Sequence, residues 1–135
     1  KKGKQRRGQA FSEKTLIRHA NDALARAEAN GRDISEVSAK AKGWLDLRLS
    51  TFTDDHLTRS HYLAALLWAS AGVKVPWKLM GEASSEEGKV ANARLVISLA
   101  RKSGATVYIT PKDIIELKGD MIITLVAAIL GLSAA

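Results

Sequence analysis

The run from Met121 to Leu132 reads Met-Ile-Ile-Thr-Leu-Val-Ala-Ala-Ile-Leu-Gly-Leu, with one threonine among its apolar residues. A membrane-spanning helix needs about 20 apolar residues, so this stretch is too short to cross a bilayer. As a helix it is apolar nearly all round, and in water such a helix must be surrounded by others. The rest of the chain therefore has to supply helices with one oily face each.

It does so at helical spacing. Ser12 is placed to cap a helix running to about Ala29, in which Leu16, Ile17, Ala20, Leu24 and Ala27 fall on one face. Asn30-Gly31 closes it, because both residues accept the left-handed backbone of a C-cap. A second helix is predicted to follow Asp54-Asp55, whose carboxylates favour the positive end of a helix. Tyr62, Leu63, Leu66 and Leu67 give it an apolar face and Gly72 stops it. Val73 to Met80 reads as a compact hydrophobic turn, with Pro76 suited to the first turn of a short helix. For the third long helix, Ser84 and Glu87 have capping-box spacing, and Val90, Ala93, Val96, Ile97 and Ala100 form its buried stripe. Arg101 and Lys102 suit its negative end, and Gly104 closes it. Thr106 to Thr110 is a short extended link. Thr110-Pro111 then opens a brief helix, Gly119 breaks the chain, and Asp120 is placed to cap the final helix.

The expected fold class is all-α, with four main helices, short connecting helices and the last helix central and buried. The stretch from Ile34 to Ser50 fits none of these periods. Ser35, Ser38, Gly43 and Ser50 interrupt it, and its cluster of Trp44, Leu45, Leu47 and Leu49 predicts an irregular, partly packed loop. The chain has 135 residues, which suits one domain, and its 46% hydrophobic content supplies a core without metal or disulfide. There is no cysteine, which removes disulfides, thiolate metal sites and cysteine nucleophiles and is compatible with a cytoplasmic setting.

Charge is uneven. The formal net charge is +7, and Lys1, Lys2, Lys4, Arg6 and Arg7 carry five of those charges. Residues 1–10 thus read as a basic disordered lead-in without the apolar core of a signal peptide, and residues 11–135 as the folded domain. Such a tail speeds encounters with polyanions and is weakened by salt, while its simplest role is that of an interdomain linker.

Residue types that carry chemistry are sparse. His56 and His61 stand five apart, off a common helical face, with no cysteine or glutamate at metal-ligand spacing, so surface or capping roles are expected for them. Asp54 and Asp55, adjacent at a helix start, read as capping groups rather than an acid–base pair. No phosphate-binding glycine loop, nucleophile elbow or calcium-binding loop is present. These features predict a non-catalytic protein without metal or cofactor. Trp44, Trp68 and Trp77 read as core or loop anchors rather than a platform for stacking bases.

One block of the chain resembles a known family. Asn92-Ala93-Arg94-Leu95-Val96-Ile97-Ser98-Leu99-Ala100-Arg101-Lys102-Ser103-Gly104-Ala105, followed by Val107-Tyr108, resembles the penultimate core helix of the calponin-homology domains of fimbrins and plastins. Pro111-Lys112-Asp113-Ile114-Ile115-Glu116-Leu117-Lys118 is similar to the short pre-helix of that family, and Gly119 to Ala128 to its final helix. Leu16-Ile17-Arg18-His19-Ala20-Asn21 resembles the opening helix, where the family carries a tryptophan at the place of His19. Phe52-Thr53-Asp54-Asp55-His56-Leu57 resembles the entry to the second main helix, and Val73 to Leu79 the turn after it. The stretch between Ile34 and Phe52 is about a dozen residues longer than the family pattern, and its Trp44 is available to replace apolar surface missing at His19. The Asn-Ala-Arg block with its Ala-Thr-Val-Tyr continuation is nearest to the fourth, C-terminal domain.

The resemblance implies a module that binds filamentous actin as the second half of a tandem, with a preceding calponin-homology domain as partner. Two such tandems in one chain bundle filaments. It further implies that the isolated domain binds weakly, and that the first helix offers Lys14, Arg18 and Arg26 to an acidic filament. An ordinary solvated helix face remains the simpler account of those three, and Arg94, Arg101 and Lys102 are open in the same way. A calponin-homology domain that binds microtubules or a signalling partner shares the fold. A nucleic-acid-binding role for the tail is disfavoured, because no second basic stripe or exposed aromatic row is legible in the folded part.

Overall fold

The structure is a computed structural model in which residues 12–31 and 37–134 are described. The basic lead-in, Phe11 and the first residues of the Ile34–Ser50 stretch lie outside the described residues. Among those described, all regular structure is helical.

Helix α1 (Glu13–Ala29) begins where the sequence places it. The Ser12 side chain accepts from the Thr15 amide, and Asn30 and Gly31, the latter at φ 65°, close the far end. Leu16, Ala20, Ala23, Leu24 and Ala27 are buried, which extends the expected face by one alanine and leaves Ile17 at its margin. His19, at the family's tryptophan position, points to solvent.

From Val37 to Ser50 the chain is more ordered than an irregular loop. Ser38 caps a single turn, α2 (Ala39–Lys42), which tightens into a 3-10 turn at Gly43–Asp46. Trp44 anchors this segment, and it does so away from His19. Its indole stacks on the His61 ring with centroids 3.8 Å apart and planes 5° from parallel, and meets Trp77 at 6.4 Å.

The second main helix starts later than the acidic pair. Asp55–Arg59 forms a separate 3-10 turn, Ser60 takes a left-handed backbone at φ 67°, and α3 (His61–Ala71) begins after it. Asp54 stands at the cap of that turn and its carbonyl takes the Leu57 amide at 3.0 Å, but its side chain makes no capping bond. Its carboxylate reaches backward instead, accepting from the amides of Ser50 at 2.6 Å and Thr51 at 3.1 Å and from the Thr51 hydroxyl at 2.9 Å. Burial alone would raise this carboxyl, but those hydrogen bonds prevail and hold it below the ordinary aspartate value. Every residue of α3 from His61 to Trp68 is buried, so α3 is the helix enclosed on all sides.

Gly72 ends α3 at φ 69°, and a 3-10 turn at Trp77–Leu79 follows with Pro76 as its cap. The cap of α4 (Glu86–Lys102) is Ser85, one residue beyond the expected Ser84. Ser85 Oγ accepts from Gly88, and no reciprocal bond completes a box. Gly88 suits the close approach there, because a Cβ would lie 3.0 Å from the Ala83 backbone. The stripe of Ala93, Val96, Ile97 and Ala100 is buried as predicted, with Asn92 added to it and Val90 at its edge.

A true capping box opens α5 (Pro111–Ile115), where Thr110 and Asp113 bond reciprocally. Helix α6 runs Gly119–Ala134, so Gly119 starts the helix and Asp120 lies in its first turn rather than capping it. Ile122, Leu125, Val126 and Ile129 face α1, α3 and α5, while Thr124 and Ala127 are exposed. The hydrophobic run is thus buried along one side and sheathed by α3.

Candidate functional site

Helix α1 is held from behind by one side chain. Asn21 donates to the Leu49 carbonyl and accepts from the Leu49 amide, both at 2.9 Å, and its oxygen also receives the Tyr62 hydroxyl at 2.9 Å. One amide therefore joins α1, the segment after α2, and α3. Burial raises the Tyr62 phenol far above its ordinary value, so it stays a neutral donor across the physiological range. An ion pair from Arg48 to Glu28 at 2.7 Å adds a rim tie, which both groups share with solvent.

This bracing fixes what α1 presents outward. Lys14, Arg18 and Arg26 are all exposed, as the sequence predicts. At 100° per residue, steps of four walk slowly round the helix, so Lys14, Arg18, Asp22 and Arg26 form one drifting row. Asp22, also exposed, interrupts it between the two arginines, which sequence reading overlooked. The row is mixed in charge, with its basic weight at Lys14 and Arg18. Arg26 stands apart at the mouth of a groove of about 390 Å³ lined by Ala23, Asn30, Ser70 and Leu130.

A second basic surface lies on α4. Arg94 and Arg101, seven residues apart, share a face, and with Lys102 and Ser98 they line a groove floored by Ile97 and Ile109. The expectation that the folded part has no second basic stripe is therefore amended. All three tryptophans are buried, at 9%, 5% and 3% exposure for Trp44, Trp68 and Trp77, so none offers a stacking face.

The two candidate histidines do structural work. His56 Nε2 lies 2.9 Å from the Arg48 carbonyl and 3.6 Å from the Asp54 carboxylate. His61 is buried against Trp44 and donates from Nε2 to the Gly81 carbonyl at 2.8 Å. The same carbonyl receives Asn92 Nδ2 at 3.0 Å, while Asn92 Oδ1 takes the Gly81 amide at 3.1 Å and Nδ2 reaches the Arg59 carbonyl at 3.1 Å. Asn92, the first residue of the family-like block, thus sews the starts of α3 and α4 to the link between them. Among the described residues no three histidine, aspartate or glutamate side chains gather where they could share a metal ion. No helix among them is long and apolar enough to cross a membrane.

No family model matches the chain. Curated relatives do. Fimbrin of Saccharomyces cerevisiae is 32% identical over 125 residues, covering 87% of this chain and 20% of that protein. Fimbrin of Dictyostelium discoideum is 30% identical over 91% of this chain and 20% of its own length. The crystal structure of the actin-crosslinking core of Schizosaccharomyces pombe fimbrin superposes with a TM-score of 0.70, at 24% identity, over 89% of this chain and 22% of that one. The chain spans about a fifth of the length of these relatives. With α3 enclosed by α1, α4 and α6 and the short helices between them, the fold is that of a calponin-homology domain. The chain belongs to the fimbrin/plastin family.

Proposed function

We propose that this domain is a non-catalytic actin-binding module, the fourth calponin-homology domain and second half of a tandem in a cytoplasmic, fimbrin-type filament bundler. The observation that carries the reading is the outer face of α1. On a fimbrin-like fold its inner face is pinned through Asn21, while Lys14, Arg18 and Arg26 stand in solvent on a rigid helix. A filament with an acidic surface meets cations carried on an ordered helix there, so no backbone has to be ordered on docking. The interruption at Asp22 and the small number of charges fit a supporting partner of modest affinity rather than the main anchor. The preceding calponin-homology domain supplies the remaining surface, and residues 1–10 connect the two.

Co-sedimentation with filamentous actin across a salt series tests this, using the chain with and without residues 1–10 and a Lys14→Glu/Arg18→Glu variant. Weak binding that survives removal of the lead-in and falls in the double variant, with the circular dichroism unchanged, is the expected result. Binding that vanishes with the lead-in, or that ignores the α1 substitutions, refutes the assignment of the site.

A further inference from the structure

Residues 105–110, between α4 and α5, alternate strictly. Ala105, Val107 and Ile109 are buried at 9%, 6% and 2% exposure, while Thr106, Tyr108 and Thr110 are exposed. That period of two is the signature of an extended strand with one side on the core. Its ends are fixed: the Ala105 amide donates to the Ala100 carbonyl, and the Thr110 amide to the Asp113 carboxylate at 3.0 Å. Between them the amides of Thr106, Val107, Tyr108 and Ile109 meet no acceptor among the described residues. Among the described residues, the segment is an open run of backbone amides with its alternate side chains on the core and no paired strand.

Two grooves adjoin this segment, one along Val107 to Ile109 and one at its far end, where Ile109 and Thr110 line it. One, of about 210 Å³, is almost wholly apolar and is formed with Val107, Tyr108, Met121, Thr124 and Leu125. The other, of about 360 Å³, is the basic one bearing Arg94, Arg101 and Lys102. Arg101 also donates to the Val107 carbonyl at 3.3 Å, which fixes the guanidinium beside the strand. Tyr108, 77% exposed, is an aromatic ring left in water at the boundary.

We propose that this segment is a docking edge for an extended, acidic peptide segment of a partner protein, which adds to it as a β-strand. Open amides on a pre-extended backbone give a peptide a hydrogen-bonding partner that needs little ordering. An apolar side chain of the peptide enters the groove over Met121 and Leu125, and an acidic one faces Arg94 and Lys102. Tyr108 closes over the added strand and loses its exposed area. The site uses no residue of α1, so it stands or falls independently of the actin reading.

The test is a titration of the isotope-labelled chain with a short peptide of alternating valine and glutamate, read by amide chemical shifts and hydrogen exchange. The same peptide carrying N-methyl groups on alternate amides, in each of the two registers, removes the backbone bonds alone. Shifts and slowed exchange centred on residues 106–109 are expected. One N-methylated register should bind about tenfold more weakly, as should an Arg94→Glu/Lys102→Glu variant that keeps a dispersed spectrum. The proposal is overturned if no binding is seen at millimolar peptide, or if both N-methylated registers bind unchanged. It is equally overturned if a single-stranded oligonucleotide of equal charge shifts the same amides as strongly, since a polyanion would then account for the site.

Discussion

Replacing Asn92 with alanine removes three hydrogen bonds at once, to Arg59, to the Gly81 carbonyl and from the Gly81 amide. Asn92 is 2% exposed, so its own amide is out of reach of water, whereas Arg59 and Gly81 are exposed residues whose freed groups water can partly reach. A buried neutral hydrogen bond contributes about 1 kcal/mol net, and stranding its partner costs as much or more. The Gly81 carbonyl keeps His61, but the Gly81 amide and the Arg59 carbonyl lose their side-chain partner. The expected loss is therefore about 3 kcal/mol. Urea unfolding, monitored by far-ultraviolet circular dichroism, should show a lower midpoint with unchanged slope. Asn92→Asp keeps the shape but turns the donating amide into an acceptor facing two carbonyls, and should be at least as harmful. A change below about 0.5 kcal/mol for Asn92→Ala, the level of an ordinary surface substitution, would refute the claim that this side chain seals the junction of α3 and α4.

Three further outcomes follow from buried groups. Leu125, 1% exposed on the inner side of α6, should cost about 2–5 kcal/mol as Leu125→Ala, and a near-neutral denaturation midpoint would count against the packing of that helix on α3. Ser60 is fully buried at φ 67° with its hydroxyl unpartnered, so Ser60→Gly should match or exceed the parent's thermal stability by up to about 1 kcal/mol; a clear loss would mean its side chain makes up for the strained backbone. Burial holds the His61 imidazole below its ordinary 6.5, outweighing the opposing pull of the Gly81 carbonyl and Glu82, with Arg59 and Lys40 acting in the same direction as burial. The unfolded chain then binds the proton more readily, so the contribution of His61 is complete above pH 6.5 and is lost as pH falls toward the folded value. His61→Gln should flatten the stability–pH curve in that window, whereas the loss tied to Asp54 should remain below about pH 3.8.

How much of this was legible beforehand depends on the range of the interaction involved. The span of α1 was readable because a serine cap, a five-residue apolar stripe and an Asn-Gly stop act within a turn or two of one another. The Thr110–Pro111–Asp113 start of α5 was readable for the same reason. The start of α3 was misplaced because an acidic pair before an apolar run is an ordinary N-terminal signal. Here Asp54 is drawn away by the amides of Ser50 and Thr51, whose approach depends on the folding of the preceding loop. Ser84 and Ser85 are equal candidates by spacing, and the choice fell to Ser85 once the chain folded back over Gly88.

By itself the sequence determined the helical class, the stripes that face inward, the family resemblance, and the cations available on α1 and α4, since each is written in the local order of residue types. The tertiary structure decided which helix is enclosed. Hydrophobic pattern favours α6, yet burial is a property of neighbours, and α3 lies among more of them. It also decided that Trp44 meets His61 rather than compensating for His19, that Asn21 and Asn92 each join three parts of the chain, and that Arg94 and Arg101 line one groove with Ile109. Those pairings link residues far apart in sequence, and no local periodicity encodes a meeting that only chain folding brings about.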